Sequence, residues 1–502
     1  MRKLALLVAL LSIPVLVALG CGKDEAASSA TSLAPAGSVV YAEADIDPSG
    51  NQKQAIDQLI AKFPGEGSAG ERLRTLVEKG LRESDAPINF EKDVEPWLGD
   101  SAAFFITDAS SGAGAALIAT DDEDAARDAI GKSFEGDARE KNYEGVDYFA
   151  SGDAAGGVVD GFVVAGDERG FKAAVDASDG GSTLEDDERY EEATGDLSED
   201  RLGLFYVNTP ELMRTLQQEP GVMQLGSQFR DLVKDPVVAT FDVDSDGVSF
   251  EADAPASLAK SVPFFGQGSD LIEQLPADSW LALAQPDLGK VLDYYIETVG
   301  ASVGGRDVIE SQFRSATGLD LDRDLLDWMG DFAVFVRGTS LADLNGGIVV
   351  ETSDPAASAR LITRLGQLSQ RRPGTSVKPF SAPGGGKGIT LRESDVPAPV
   401  HVFQRDDLFV VAYGDAAAAD AVAPAQRLGD SPEFQDAAQS IDGYAVNMYL
   451  ATAPLLELAE SQVGNDPDWQ SAKPYLEPLE ALISGTAGDN NELRSAFKIL
   501  ID

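Results

Sequence analysis

The chain has 502 residues, of which 43% are hydrophobic, so it is long enough for two to four domains that each bury an ordinary core. Its 85 acidic residues against 39 basic ones give a formal net charge of −46, which argues against a nucleic-acid partner because such a surface repels phosphate groups. One cysteine and one histidine exclude disulfide frameworks and metal sites that need several of these ligands.

The acidic excess also predicts repulsion from anionic lipid head groups. Two interpretations of this charge involve no ligand: solubility at a charged cell surface, and adaptation to a salt-rich habitat. The alternative is that the acidic surface binds cations or a basic partner.

The first twenty residues predict a signal peptide. Two cations, Arg2 and Lys3, precede an apolar run that ends at Leu19 and is too short to span a membrane comfortably. The next residues, Gly20-Cys21, resemble the cleavage site of bacterial lipoprotein signals; the alternative is an ordinary secretory signal with a chance cysteine. The resemblance implies cleavage before Cys21 and acylation of its thiol and new amino terminus. The protein would then be anchored to the cell membrane on its extracytoplasmic face.

Acylation of Cys21 would leave no thiol in the mature chain, which excludes thiol catalysis and cysteine-ligated metals. Residues 21–33 are small and polar and predict a flexible tether. Cys21 is therefore the one site residue that we assign, as a lipidation site. We assign no catalytic, cofactor-binding or metal-binding residue.

The next stretch, residues 34–255, predicts a domain of mixed strands and helices. Apolar residues at spacing two or at helical spacing define the elements. The predicted elements are a strand at 39–44, helices at 52–62 and 71–81, strands at 102–107 and 115–120, a helix at 121–132, strands at 146–150 and 158–165, a helix at 168–177, a strand at 202–207, a helix from Pro210 and a hairpin at 237–252.

A tryptophan motif in this domain occurs again 231 residues later. Trp97-Leu98-Gly99-Asp100 is repeated as Trp328-Met329-Gly330-Asp331. The residues identical in both copies are Asp93/Asp324, Trp97/Trp328, Gly99/Gly330, Asp100/Asp331, Ala102/Ala333 and Phe104/Phe335. So many matches in order, including tryptophan, predict a tandem duplication.

Each motif predicts one local structure. Asp93 or Asp324 would cap a short helix, Gly99 or Gly330 would end it in the left-handed conformation, and a strand would follow. We interpret the tryptophan as a buried anchor. The alternative is a binding edge with an exposed indole and carboxylate.

The second repeat is predicted over residues 271–502, after a linker at residues 256–270. Three further matches support it: Leu275-Pro276 with Ala34-Pro35, 409–412 with 162–165 (both Phe-Val-Val-Ala), and Tyr449 with Tyr206. Hairpins and consecutive strands favour antiparallel pairing. The predicted fold class is therefore α+β, with two tandem homologous repeats, each a mainly antiparallel sheet covered on one face by helices.

Three stretches together resemble a known family. The opening Tyr41–Gly50, then Lys62-Phe63-Pro64, and then the first tryptophan motif are similar to an uncharacterised bacterial family, domain of unknown function 3352. The resemblance covers nearly the whole mature chain. It implies the architecture and no activity, because the family has no established site residues.

Three other motifs resemble functional sites, and for each we favour a structural interpretation. Asp242, Asp244 and Asp246 have calcium-loop spacing, but the alternation around Asp246-Gly247 predicts a hairpin turn. Gly300–Gly304 has nucleophile-elbow spacing, but the helical pattern before it predicts a loop between two helices. The histidine, His401, alternates with Val400 and Val402 and predicts a residue on one face of a strand.

Two functional classes follow from these observations. The first is a non-enzymatic lipid-anchored surface protein, acting as a binding, scaffold or envelope assembly module with an envelope protein partner. The second is an extracytoplasmic enzyme such as a carboxylate-dependent hydrolase. The first is favoured because no nucleophile–base set repeats; a pocket with convergent carboxylates would discriminate between the two.

Overall fold

The computed structural model describes most of the chain after the predicted tether. The described residues are 29–48, 50–65, 89–134, 139–195, 197, 201–216, 234–254, 268–382, 385–488 and 493–502. The predicted signal peptide, Cys21, most of the tether, the predicted helix at 71–81 and most of the linker lie outside them. The chain divides into two compact units between Leu258 and Ala259.

The described part of the first unit contains one antiparallel sheet of ten strands. The strands are β1 (Val40–Asp45), β2 (Leu98–Asp108), β3 (Ala113–Thr120), β4 (Arg139–Tyr143), β5 (Val146–Ser151), β6 (Ala154–Val159), β7 (Phe162–Asp167), β8 (Gly203–Val207), β9 (Val237–Asp244) and β10 (Gly247–Ala254). Their order across the sheet is β10-β9-β8-β1-β2-β3-β7-β6-β5-β4.

Three of the five described helices of the first unit start at acidic caps. The described helices are α1 (Gly50–Ala61), α2 (Glu123–Ser133), α3 (Glu168–Ser178), α4 (Glu188–Thr194) and α5 (Thr209–Leu216). The carboxylates of Asp122, Asp167 and Asp187 accept N–H groups in the first turns of α2, α3 and α4. Part of the acidic excess is therefore used to satisfy helix starts.

The second unit has a sheet of ten described strands in the same order. The strands are β11 (Leu281–Gln285), β12 (Met329–Arg337), β13 (Asn345–Thr352), β14 (Thr375–Ser381), β15 (Lys387–Glu393), β16 (Val400–Arg405), β17 (Leu408–Tyr413), β18 (Ala445–Ala451), β19 (Leu479–Gly488) and β20 (Leu493–Ile501). Their order is β20-β19-β18-β11-β12-β13-β17-β16-β15-β14, again with antiparallel pairing throughout. The predicted α+β class with mainly antiparallel sheets is confirmed.

The second unit is richer in described helices. They are α6 (Leu271–Gln274), α7 (Leu288–Val303), α8 (Arg306–Thr317), α9 (Pro355–Ser369), α10 (Asp415–Asp420), α11 (Pro432–Gln439), α12 (Thr452–Val463) and α13 (Pro467–Leu476). Gly300–Val303 forms the last turn of α7, and Gly304, at φ 106°, ends it before α8 begins. Two helices are joined here as predicted, but the connection is confined to Gly304 and Gly305, since the predicted loop residues 300–303 are helical.

Helices pack on both faces of each sheet, so the prediction of one covered face is wrong. In the first unit, Leu117 and Val164 bury one face against Phe171 of α3, while Ile118 and Val163 bury the other against α2. The central strands carry continuous apolar runs, which bury both of their faces.

Two strands of the first unit differ from the sequence prediction. The predicted strand at 158–165 is the end of β6, a turn at Asp160-Gly161 with positive φ at both residues, and the start of β7. This is a two-residue hairpin turn that an Asp-Gly pair favours. Strand β4 was missed because its sequence, Arg-Glu-Lys-Asn-Tyr, has no apolar alternation. The hairpin predicted at Asp246-Gly247 is present, with Asp244 paired to Gly247.

Several of the sequence matches between the two units do not correspond in the sheets. Ala102 pairs with Ile118, whereas in the second unit Phe332, not Ala333, pairs with the corresponding Val350. The irregularity near the start of β2 contains one more residue than that in β12, so the strands shift by one. A one-residue shift moves each side chain to the opposite face.

A separate offset of one residue affects the Phe-Val-Val-Ala match. Val163, not Phe162, pairs with Ile118, and Phe409 pairs with Val350. Phe162 and Phe409 therefore lie on opposite faces of their sheets, although the sequence aligns them.

Candidate functional site

The tryptophan motifs are buried anchors. Trp328 is 1% exposed and Trp97 is 4% exposed. The Trp328 Nε1–H donates to the Asp324 carbonyl at 3.0 Å, and the Trp97 Nε1–H donates to the Asp93 carbonyl at 2.6 Å. Each indole thus has a satisfied donor within an apolar cluster, so the exposed binding edge is excluded.

The prediction that Asp93 and Asp324 start a helix is wrong. The cap of the first turn is Asn89, whose Oδ1 accepts the Lys92 N–H at 3.0 Å, while Asp93 Oδ2 accepts the Asn89 N–H at 2.9 Å. Asp320 and Asp324 repeat this reciprocal arrangement in the second unit, with Asp320 in the position of Asn89.

The hydrogen-bonded partners Asn89 and Asp93 lie four residues apart, and this spacing follows from the type of helical turn between them. A capping box places its two side chains three residues apart. Here the turns Phe90–Val94 and Asp322–Leu326 are π-helical and contain one additional residue per turn. The motif aspartate therefore satisfies the first amide of the turn from its fourth helical position.

The prediction for Gly99 and Gly330 is also wrong. Both lie in strands, β2 and β12, and neither has a positive φ. At Gly99 a Cβ atom would lie 2.9 Å from the backbone of Ala119, so this glycine permits close approach of the neighbouring strand.

Asp324 gives the fold a measurable dependence on pH. Hydrogen bonds from Arg323 and from the Asp320 N–H, with the charge of Arg360 nearby, lower the pKa of Asp324 to about 2. Because this pKa is below its ordinary value, the stabilisation is complete above about pH 4 and is lost as the pH falls through about 2.

We expect Asp324→Asn to lower the free energy of unfolding at pH 7 by about 2 kcal/mol, and the difference from wild type to shrink as the pH approaches 2. Denaturant unfolding over this pH range would measure both. Asp436→Asn, at an exposed helical position, is the control and should change little. A constant difference at every pH would contradict the assignment.

The second motif aspartate opens onto an acidic cleft of about 490 Å³. Asp331 in β12, Glu351 in β13 and Asp407 in the β16–β17 turn line it, together with Asp270 before α6. One cation, Arg427, lies on the wall that follows α10. Asp331 also accepts the N–H of Asp287 at 3.2 Å, which fixes the start of α7.

The carboxylates in the cleft affect one another. Burial raises the pKa of Glu351 above its usual range, and the charges of Asp331, Asp407 and Asp270 raise it further. Four carboxylates facing one guanidinium leave the cleft strongly negative. A cationic group entering it would relieve this repulsion.

Acidic residues also gather beside the first tryptophan motif. Burial raises the pKa of Asp45 and of Asp47, and the charge of Asp100 raises both further. The Asp100 carbonyl accepts the N–H groups of Ile46 and Asp47. The motif aspartate therefore holds the segment after the first strand in each unit, although its neighbouring acids occupy different positions.

The sequence identified only Asp331 among the cleft residues. Asp270, Glu351 and Asp407 lie in three separate parts of the chain, and each has the spacing of an ordinary surface acid. The strand order of the sheet brings them together.

His401 lies on one face of β16, as predicted, and is 2% exposed. Its Nε2 lies 2.9 Å from Asp415 Oδ1 and its Nδ1 lies 3.1 Å from Thr390 Oγ1. The ring packs on Phe380 with centroids 4.2 Å apart. His401 thus joins α10 to the sheet, and it is not among the residues that line the acidic cleft.

No helix within the described residues combines the length and apolar character needed to cross a membrane.

Three crystal forms of TP0453 are similar to the chain: form IV at 13% identity, TM-score 0.27, covering 47% of this chain and 83% of that chain; form I at 10%, 0.26, 48% and 87%; and form III at 10%, 0.27, 46% and 81%. No curated protein matches the chain. The model of the family described as protein of unknown function (DUF3352) matches residues 4–500, and the chain belongs to this family.

Proposed function

We propose that this protein is a lipid-anchored, non-enzymatic binding module of the cell envelope. Its acidic cleft would bind a basic segment of an envelope protein partner. The observation that carries the proposal is the convergence of Asp270, Asp331, Glu351 and Asp407 on one cleft.

The form of the cleft favours an extended cationic segment. Its carboxylates come from four separate elements and line a volume that can hold several side chains. Electrostatic complementarity of this kind increases association rates and selects partners by charge. Arg427 on the wall adds selectivity, because it repels a cation placed at that side.

Binding of a basic segment in the cleft can be tested with a synthetic peptide. We expect synthetic hexalysine to bind the wild-type chain, and Glu351→Gln combined with Asp407→Asn to weaken binding about tenfold or more, at roughly 1 kcal/mol per exposed charge pair. Titration calorimetry would measure both affinities.

The control removes the same charge elsewhere. Asp128→Asn with Glu192→Gln neutralises two exposed acids of the first unit. Equal weakening in both double variants would mean that hexalysine responds to the net charge and not to the cleft.

The anchor is a separate prediction. We expect Cys21→Ala to abolish acylation, so that the protein accumulates as an uncleaved precursor or is released from the membrane. Detergent partitioning and gel mobility would measure this. Ser29→Ala, on the chain beyond the predicted cleavage site, is the control. A Cys21→Ala protein that fractionates and migrates like wild type would contradict lipidation.

We also propose that the chain arose by tandem duplication, with repeats at 34–255 and 271–502 joined by the linker at 256–270. Several observations support it: the common strand order, the two buried tryptophans, and the reciprocal hydrogen bonds of Asn89/Asp93 and Asp320/Asp324. Superposition of the two ranges is the test, and tryptophans in different environments would contradict it.

An extracytoplasmic carboxylate-dependent hydrolase is the second candidate. The raised pKa of Glu351 favours it, because a protonated acid beside an ionised carboxylate can serve as a general acid. Such an enzyme would hydrolyse a model glycoside or ester and lose this activity in Glu351→Gln. Hexalysine binding without any hydrolysis would favour the binding module.

A further inference from the structure

In one segment of this acidic chain, every charged residue is basic. Residues 355–392 contain seven basic residues and no acidic one. At the average composition of the chain, a segment of this length would hold about six acidic residues. The basic residues are Arg360, Arg364, Arg371, Arg372, Lys378, Lys387 and Arg392.

The segment forms α9 and the β14–β15 hairpin of the second unit. Strand β14 pairs only with β15 among the described residues, so the hairpin lies at an edge of the sheet. Arg360 and Arg364 have partners, since Arg360 lies 3.7 Å from Asp324 and Arg364 donates to the Thr317 carbonyl.

The other five cations are exposed and form no ion pair within the described part of the chain. We call these five residues the basic edge: Arg371, Arg372, Lys378, Lys387 and Arg392.

The basic edge surrounds the hairpin. Arg371 and Arg372 lie in the turn between α9 and β14. Lys378 pairs with Thr390 and lies on the same face as Arg392, two residues further along β15. Lys387 lies on the opposite face, beside a pocket of about 400 Å³ whose lining includes the apolar Val377 and Ile389 and the polar Gln367. Two acids, Glu393 and Asp395, follow Arg392.

The corresponding elements of the first unit carry the opposite charge. Helix α2 and strands β4 and β5, residues 123–151, contain eight acidic and four basic residues. Residues 355–393 contain seven basic and one acidic residue in the same place of the strand order. The charge reversal is therefore specific to one unit and is not required by the fold.

We propose that the basic edge docks on an anionic lipid surface, that of the membrane to which the protein is anchored. This proposal rests on the lipid anchor of the proposed function. Cations on both faces and at the turn of an edge hairpin fit a broad, deformable array of phosphates better than a single compact anion. The apolar residues of the pocket beside Lys387 would contact lipid methylenes. A basic cluster adds electrostatic attraction to the membrane affinity of an acyl anchor.

The net charge of the chain gives this docking an unusual dependence on salt. The Debye length is about 30 Å at 0.01 M salt, about 8 Å at 0.15 M and about 3 Å at 1 M. At the lowest concentration the whole acidic chain is repelled by the membrane. Near 0.15 M only the charges of the basic edge are close enough to the membrane to be attracted by it. At 1 M this attraction is screened. Binding should therefore pass through a maximum near physiological salt.

The test uses the unacylated chain from Gly22 to Asp502, so that binding cannot come from the anchor. We expect it to sediment with vesicles of phosphatidylcholine containing about a third phosphatidylglycerol, and not with phosphatidylcholine alone. Replacing Arg371, Arg372 and Lys378 with Gln should weaken binding about a hundredfold, at about fivefold per cation.

The control variant replaces Lys92, Arg127 and Arg139 of the first unit with Gln. It changes the net charge by the same amount and should bind like wild type. Equal loss in both variants, binding that only falls as salt rises, or self-association in place of vesicle binding would each overturn the proposal. Because no acyl group is present, a failure here is separate from a failure of Cys21→Ala to release the protein from cells.

Discussion

Replacing Trp328 with alanine is expected to lower the free energy of unfolding by roughly 3–5 kcal/mol, the usual cost of a lost core aromatic. Trp328 is 1% exposed and packs edge-to-face on Phe409, with ring centroids 5.3 Å apart. Its removal leaves a cavity between α9 and the sheet and also frees the Asp324 carbonyl. Trp97→Ala should have a similar effect, because Trp97 is 4% exposed and makes the same hydrogen bond to Asp93.

Chemical denaturation with far-ultraviolet circular dichroism would measure these losses. Trp469→Ala is the matched control, since Trp469 is only half-buried on α13, and its Nε1–H donates to Glu460. We expect this control to cost less than half as much. Equal losses at Trp328 and Trp469 would contradict the anchor role of the motif.

Gly170→Ala is expected to destabilise the protein by roughly 3 kcal/mol, although alanine is the better helix former. Gly170 lies in the first turn of α3, where an added Cβ would lie 2.1 Å from the carbonyl oxygen of Gly114. The obstacle is backbone of β3, which cannot move aside as a flexible side chain can. The helix would have to move away from the sheet and from the core around Phe171.

Gly366→Ala is expected to have the opposite effect on stability, in another helix. An added Cβ there would lie 3.5 Å from Ile389, an ordinary contact, so the substitution should stabilise α9 by roughly 0.5–1 kcal/mol. Thermal unfolding of the two variants beside wild type would measure the opposite signs. Stabilisation by Gly170→Ala would show that α3 does not pack on the sheet at this distance.

Both substitutions change a glycine within a helix, so local sequence gives the same expectation for each. Only the neighbouring strand distinguishes them. In the rest of the molecule, too, some features follow from the local sequence and others depend on neighbouring elements.

Patterns of residues along the chain were enough to predict the local elements and the class of fold. Apolar spacing located α2 and α3, β1 and the hairpin at Asp246-Gly247, because these patterns depend on residues a few positions apart. The rarity of tryptophan made the two motifs recognisable, and the size of the indole made its burial predictable. The charged strand β4 could not be predicted from apolar spacing, because a strand at the sheet edge requires no apolar alternation.

The strand register, the faces that helices cover and the clustering of charged residues depend on contacts between distant parts of the chain. Ala102 and Ala333 are aligned in sequence yet lie on opposite faces, because one additional residue in a strand irregularity reverses every side chain after it. Asp407 comes close to Glu351 because β17 pairs with β13, and the segment before α6 brings Asp270 to the same cleft. Contacts of this kind depend on distances across the fold, which the order of residues along the chain does not state.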